Sequence, residues 1–415
     1  MTTAIDLSAP EFWGLPLAER RDAFAGLRSL PQPPFFADPD VPFAPAGQGY
    51  YALVRHADVV EASRNPAVFC SGKGATSIVD LPVEFNEYFG SMINMDDPRH
   101  ARLRRIVSRA FTPRMIRKFE DDVQQAAAQI VDDLLATGPC DFVEHVAARL
   151  PLTIICQMMG IPDSSYAMVL HDTNVILSGN DPDIISENPD EAVGQILTAG
   201  AELAALVTDL CAARLQDPKD DLITALATAN IDGEQLTSAE LASFFILLVV
   251  AGNETTRNAI SWGIHLLTEN PEQRAVWLED LAGRTPGAVE EIVRWASPVS
   301  FMRRTVADDV EPFELSGQRL EAGNKLLMFY GSANRDTSHF TDPDRFDILR
   351  SPNAHVGFGG PGPHFCLGAH LARREISVMF RELLSRAPNI HATGRPVQLK
   401  SAFINGIKHL PVTIG

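Results

Sequence analysis

The chain is expected to be mainly α-helical with a smaller set of short β-strands, and three observations carry that expectation. First, Thr237–Asn270 is the longest helical pattern, opened by the capping box Thr237-Ser238-Ala239-Glu240. Its first turns, LASFFILLVV, are apolar all round, which implies deep burial. Second, helical periods recur at Leu15–Leu30, Asp58–Arg64, Phe119–Leu135 and Val146–Met159. Third, extended patterns are few. They fall at Tyr50–Val54, at Glu314–Leu320 and Lys325–Tyr330 past Pro298, and at a hairpin over 402–407.

Length alone would allow two or three domains, since the chain has 415 residues. No Pro/Gly/Ser linker, repeat or low-complexity tract divides it, so one domain over 1–415 is expected. Apolar content of 45% with 21% charged residues is ordinary for a globular chain. A net charge of −18 argues against nucleic acid as a partner. No run of roughly 20 apolar residues is evident, so no membrane span is expected. The start, MTTAIDLSAPEFWG, lacks a charged segment followed by an apolar one. A cytoplasmic, reduced protein is the default expectation, and five cysteines without close pairing argue against a disulfide framework. Cys70, Cys140, Cys156 and Cys211 read as structural.

Cys366 is different. It stands in HVGFGGPGPHFCLGAHLARR, after a glycine- and proline-rich run and at the mouth of a helix marked by Leu367, His370, Leu371 and Arg374. Unpaired N–H groups at a helix start favour a thiolate. A lone thiolate on a rigid loop suits an axial ligand of haem iron.

Three further stretches carry chemistry. Between Arg99 and Lys118, read as one helix, stand eight Arg/Lys residues and no acid. Ala251-Gly252-Asn253-Glu254-Thr255-Thr256 puts a carboxylate and two hydroxyls into an otherwise apolar helix, where a buried unpartnered Glu254 would cost several kcal/mol. Glu291 and Arg294 are three apart in a short helix, Glu290–Trp295, and face each other. From Phe69 to Met95 no period persists, and a loop that long in a compact domain is usually functional. Ser178–Ala192 is acidic and proline-broken, hence a surface loop.

Together these stretches resemble the cytochrome P450 family, from about Tyr50 to the C-terminus. Gly362 stands four residues before Cys366, His364 two before it, Gly368 two after it, and Ala372-Arg373 close the pattern. One departure is that Phe358 lies eight residues before the cysteine, with Gly359 where the family places its aromatic. The loop is one residue longer. INMDDPRH and FINGIKHLPV look most like actinobacterial enzymes acting on sterol side chains, branched fatty acids or terpenoids.

The resemblance implies a triangular-prism fold with haem b, iron protoporphyrin IX, between the Thr237–Asn270 helix and the helix starting at Cys366. It implies a haem-thiolate monooxygenase that hydroxylates an apolar small molecule with O2. Electrons come from NAD(P)H through a ferredoxin and its reductase, since no flavin or nicotinamide fingerprint is present. Cys366 would ligate iron, His100, Arg104 and Arg303 would hold the propionates, and Phe358 would contact the haem, while the longer loop leaves open which side chain covers the proximal face. Glu254 and Thr255 would handle protons. Ile78, Val79, Met92, Val250, Ala251, Val299, Phe301, Phe403 and Ile404 would line the substrate pocket, although a plain core hairpin serves the last two equally well. Arg345 would complete a buried network with Glu291 and Arg294. The basic stretch Arg99–Lys118 would meet an acidic ferredoxin, and the protein would act as a monomer. A peroxygenase, an isomerase or a haem sensor would not need the Glu254-Thr255 pair.

Overall fold

The computed structural model describes residues 5–41, 47–110, 113–179, 181–229 and 233–415, with the side chains of 110–118 outside that description. Helices dominate. The central helix runs Ser238–Glu269 and is capped as its sequence requires: Thr237 Oγ1 accepts from the Glu240 N–H at 3.1 Å, and the Glu240 carboxylate accepts from the Thr237 N–H at 2.9 Å. Phe244, Phe245, Ile246, Trp262 and Ile264 are fully buried along it. The helices Arg149–Met159, Tyr166–Leu177, Pro189–Gln216, Leu281–Ala296 and Ala369–Arg386 all pack on it. At its crossing with Ala369–Arg386 a Cβ on Gly263 would sit 2.3 Å from Phe380 Cζ, so only glycine allows the two helices to approach so closely.

The strands gather mainly in one five-stranded sheet, ordered Phe35–Phe36, Tyr50–Leu53, Lys325–Phe329, Phe301–Val306, Phe69–Cys70. Tyr50–Leu53 runs parallel to Lys325–Phe329, and the other pairings are antiparallel. The alternation along Phe301–Val306 decides which side chains reach the site below.

Several expectations change. Within Phe69–Met95 a helix, Val83–Gly90, and a 3-10 turn, Ser91–Asn94, are present. Tyr88 and Phe89 pack on Gly200, whose missing Cβ would lie 2.9 Å from both rings. Eight residues are too few to show a clear period. The basic stretch is two helices, Arg99–Ala110 and Pro113–Thr137. The short helix at Glu290 is the end of Leu281–Ala296. Glu314–Leu320 is not one strand but a hairpin, Phe313–Leu315 against Gln318–Leu320, with positive φ at Ser316 and Gly317.

The hairpin expected over 402–407 is wider, with 402–406 in the loop between its two antiparallel strands. Ile404 bridges Val299, and Ile407–His409 pairs with Val397–Gln398. The segment before Pro189 is not simply exposed, because buried Asp181 accepts from Lys408 Nζ at 2.8 Å and the Lys400 N–H at 2.9 Å. Two helices, Pro189–Gln216 and Ser238–Glu269, are long and apolar enough to cross a bilayer, contrary to the expectation. In the second, 61% of the apolar window is buried against neighbouring helices, which accounts for its composition as core.

Candidate active site

The cysteine loop is folded by its own backbone. The Gly359 N–H donates to Val356 O at 2.9 Å, and the Cys366 N–H to Phe358 O at 3.0 Å. Gly362 has φ +153°, and a Cβ there would stand 2.2 Å from the Ser63 carbonyl. The glycine is therefore forced twice, by backbone conformation and by close approach. The following helix begins at Ala369 and not at Cys366, with Gly368 as its N-cap. Cys366 is solvent-accessible, yet the protein packed around it partly desolvates the thiol and pushes it up, while the Gly368 N–H, Arg104 and Arg373 pull it down. Phe358 lies under Arg373, whose guanidinium carbon is 4.3 Å from the ring centroid.

Two adjacent carboxylates anchor this loop. Glu290 accepts from Arg373 Nε at 2.5 Å and sits 3.0 Å from His355 Nε2, so it holds both flanks of the cysteine. Burial raises the Glu290 carboxyl, but Arg373 and His355 outweigh it and hold it down at about 2. Glu291, fully buried, pairs with Arg294 at 2.7 Å. The third cation is Arg350, with Nε 3.2 Å from Glu291 Oε2. The expectation named Arg345, which is exposed and contributes only its carbonyl, to Arg294 at 3.4 Å and to Arg350 at 2.9 Å. The chain turns between these residues, so the spacing to the nearer arginine misleads.

A second cluster joins His100, Arg104, Arg304 and His364. The rings of His100 and His364 are 4.3 Å apart, and His364 Nε2 is 3.1 Å from Ser71 Oγ. Arg104 donates to Phe365 O at 2.8 Å. Burial and the charges of Arg304, His100 and Arg104 push His364 far down, so its ring is neutral. Nε2 of buried His100 has no partner. Arg303, expected in this cluster, points to the opposite face of its strand. It pairs with Asp80 at 2.5 Å and donates to the carbonyl of Val79 at 3.2 Å. Arg304, one residue on, takes the place assigned to it. Strand alternation makes the exchange all or nothing.

On the central helix, Thr255 Oγ1 donates to Ala251 O at 2.8 Å. Ala251 is exposed and Thr255 half-exposed, in a helix whose neighbours Asn253, Glu254 and Thr256 are buried. Glu254 is not without a partner: it forms an ion pair with Arg257 and accepts from Asn258 Nδ2 at 2.9 Å. Arg257 in turn donates to Asn174 Oδ1 at 2.8 Å. Thr256 hydrogen-bonds Glu375, a fully buried acid whose carboxyl burial pushes up to about 8. Glu375 is absent from the expected site residues, and an acid within REISVMF is its one sequence signal.

Of the expected pocket residues, Val250, Met92 and Ile404 are buried, while Ile78, Val79, Val299 and Phe403 are half-buried. Phe301 is not open to a pocket. It packs between Phe329 and Phe403, at 5.9 and 5.5 Å between ring centroids, in a cluster with Ile78 and the N-terminal Trp13 and Phe24.

The family model for cytochrome P450 matches residues 193–281 and 285–387. A methyl-branched lipid omega-hydroxylase of Mycobacterium tuberculosis is 49% identical, covering 99% of this chain and 94% of that protein. The chain belongs to the cytochrome P450 family. A steroid C26-monooxygenase of Mycolicibacterium smegmatis is 40% identical over 90% of this P450 and 86% of its own length. The solved Mycobacterium marinum cytochrome P450 in complex with pseudoionone superposes with a TM-score of 0.91. It is 42% identical and covers 99% of this chain and 98% of its own. The mainly helical P450 fold with minor strands, and the monooxygenase class, follow from these relationships.

The family implies a haem-thiolate centre and dioxygen, and the residues fit. The cluster of His100, Arg104, Arg304 and His364 is cationic and donor-rich, with an orphaned buried imidazole nitrogen, which suits haem carboxylates. A Cβ on Gly368 would meet no described atom within 4 Å, so that glycine is not required by the protein's own packing. Among the described residues no group of three or more His, Cys, Asp or Glu is placed to bind a metal.

Two outcomes test the anchors. Arg350→Ala strands part of the Glu291 charge and should cost roughly 3–5 kcal/mol in urea unfolding, whereas Arg345→Ala should change stability by no more than roughly 0.5 kcal/mol. Equal effects would refute the assignment. Glu290 titrates near 2 when folded, against 4.5 for the free group, so its stabilisation is complete above about pH 4.5 and is lost as pH falls toward 2. Glu290→Gln should therefore lower stability at pH 7 and flatten its decline over that window. A variant with the wild-type slope would show that the carboxylate is not held by these cations.

Proposed function

We propose that this P450 hydroxylates the end of a methyl-branched or side-chain-bearing apolar lipid. The observation that carries the reading is similarity over almost the whole chain to an omega-hydroxylase of methyl-branched lipids, at 49% identity. The 40% identity to a steroid C26-monooxygenase adds a second lipid whose named position is a chain end. Val79 and Val299 are half-buried and apolar, and Ala251, one turn before Thr255 on the central helix, is apolar and exposed, as a lipid-binding region requires.

The cofactor would be haem b, held by Cys366 at the iron and by His100, Arg104 and Arg304 at its carboxylates. The bound haem supplies activation of dioxygen and transfer of one oxygen atom to carbon. The protein's own groups bind, orient and move protons. Thr255 Oγ1, held by the Ala251 carbonyl on a half-exposed part of the central helix, is the hydroxyl that would pass protons on. Glu254 is the nearby carboxylate, oriented by its ion pair with Arg257 and by Asn258 Nδ2. Glu291, Arg294 and Arg350 support the cysteine loop without taking part in chemistry.

Electrons from NAD(P)H arrive through a ferredoxin-type donor. Its docking face is narrower than the sequence suggests, because Arg99, Arg102 and Arg105 are paired with Glu87, Glu240 and Glu234. Arg109 is exposed and remains available. Arg114, Arg117 and Lys118 lie outside the described side chains. The chain works as one cytoplasmic, monomeric domain.

Adding methyl-branched fatty acids or steroids with intact side chains should shift the haem from low to high spin. Product analysis should place the hydroxyl at the chain end. Shifts with small polar compounds but not with these lipids would overturn the substrate class. Thr255→Ala should keep the spin shift and the rate of reduction but lower product per NAD(P)H several-fold, with hydrogen peroxide rising in proportion. Full coupling in that variant would remove Thr255 from the mechanism.

A further inference from the structure

A cavity of about 70 Å³ lies between the N-terminal helix Leu17–Arg28 and the end of the helix Leu281–Ala296. Four of its walls are arginines: Arg20, Arg21, Arg28 and Arg335. They gather at one place in a chain of net charge −18. Spacing explains the first three, since positions 20, 21, 24 and 28 of a helix share one side, with Phe24 between the cations. Trp295 receives two of them, the Arg21 guanidinium at 4.0 Å and that of Arg335 at 4.5 Å from its ring.

The hydrogen bonds these groups make leave a consistent remainder. Arg28 is satisfied by Ser332 Oγ at 2.9 Å, and Arg335 donates to the carbonyls of Trp295 at 3.0 Å and Gly331 at 3.2 Å. Arg20 donates to the Gln398 side chain. Yet Nε of Arg20, Nε of Arg335, Nε1 of Trp295 and Oγ of Ser300 have no hydrogen-bond partner, Arg335 Nε having only Asp344 at ion-pair distance, and all four residues are more than nine-tenths buried. Three of the four atoms can only donate. What the cavity lacks is an acceptor.

Charge says the same. The acids within electrostatic reach are Asp22, Asp336 and Asp344. Asp336 is engaged with the His56 N–H at 2.9 Å, and Asp344, largely exposed, lies 3.6 Å from Arg335 Nε. Burial and mutual repulsion push Arg20 and Arg335 down, Arg20 to about 10. Water could meet the donors but could not relieve that repulsion.

We propose that this cavity binds a small tetrahedral oxyanion of the phosphate or sulfate class, held by the four arginines with Trp295 Nε1 and Ser300 Oγ. The volume holds several waters' worth of ligand and is far below the roughly 300–1,000 Å³ of a lipid or cofactor pocket, so the substrate is excluded. Bound there, the anion clamps the N-terminal helix to the segment leading into the strand Phe301–Val306, on which Arg304 stands. It is a stabilising ligand with no part in the oxidation.

The test uses the full-length haem-loaded protein, with inorganic phosphate, sulfate, acetate and chloride at matched ionic strength. Thermal unfolding and calorimetric titration are followed. Phosphate and sulfate should raise the unfolding midpoint saturably, as binding to the folded state alone requires, with acetate and chloride far weaker. Arg20→Gln and Arg335→Gln should abolish the saturable response. Should either fail to fold, Arg21→Gln keeps the test decisive, since Arg21 is half-buried and donates no protein hydrogen bond that folding needs. It should weaken apparent affinity roughly ten-fold while leaving the haem spectrum intact. A rise that does not saturate, or equal responses in wild type and Arg21→Gln, is a general salt effect and overturns the proposal. Acetate binding as tightly as phosphate overturns the ligand class.

Discussion

Two neighbouring carboxylates, Glu290 and Glu291, fix the geometry on which the site depends. Glu290 reaches His355 on one side of the cysteine and Arg373 on the other. Glu291 takes Arg294, Arg350 and, through Oε1, the Asp347 N–H at 2.9 Å. One helix turn therefore pins the chain from 347 to 373, the stretch that carries Cys366. A loop rich in glycine would otherwise hold its sulfur poorly. The Glu291 ion pairs are buried, so their worth lies less in net stability than in the cost of any arrangement that leaves one charge alone, whereas Glu290 is only half-buried.

Positive charge is spent in a few interior places. Although acids outnumber bases 53 to 35, cationic groups collect beside His364 and again around Trp295. Much of the basic stretch that looked free on paper is paired with Glu87, Glu234 and Glu240. A run of arginines without local acids is thus no measure of surface charge, because acids distant in sequence close on it when the helices pack. Glu254 shows the same effect inside the protein. Its apparent isolation in an apolar helix ended with Arg257, one turn on and within the same sequence window.

The central helix, the cysteine loop and the Glu291–Arg294 pair were legible because each is a local pattern: a capping box, glycines at fixed offsets, charges three apart. The helix Val83–Gly90 was not, being short and stabilised by Tyr88 and Phe89 against Gly200, a contact across more than a hundred residues. Arg303 and Arg304 differ by one position, and the pleat sends one to Asp80 and the other toward His364. Spacing counted along the chain cannot tell which face of a strand is inward until the sheet exists. Phe301 follows Arg303 to the same face and ends among N-terminal aromatics.

By itself the sequence determined the family-level chemistry: one cysteine on a rigid loop, a carboxylate and a hydroxyl within an apolar helix, and a chain of helices with few strands. Those are properties of covalent order and local conformation. Tertiary structure alone decided which arginine completes the buried pair, which faces the histidines, and which cations remain unpaired. It also set Glu375 against Thr256 and brought Arg20, Arg21 and Arg28 to Arg335 across three hundred residues of chain. Electrostatic partners act over a few ångströms, and only folding makes distant residues near.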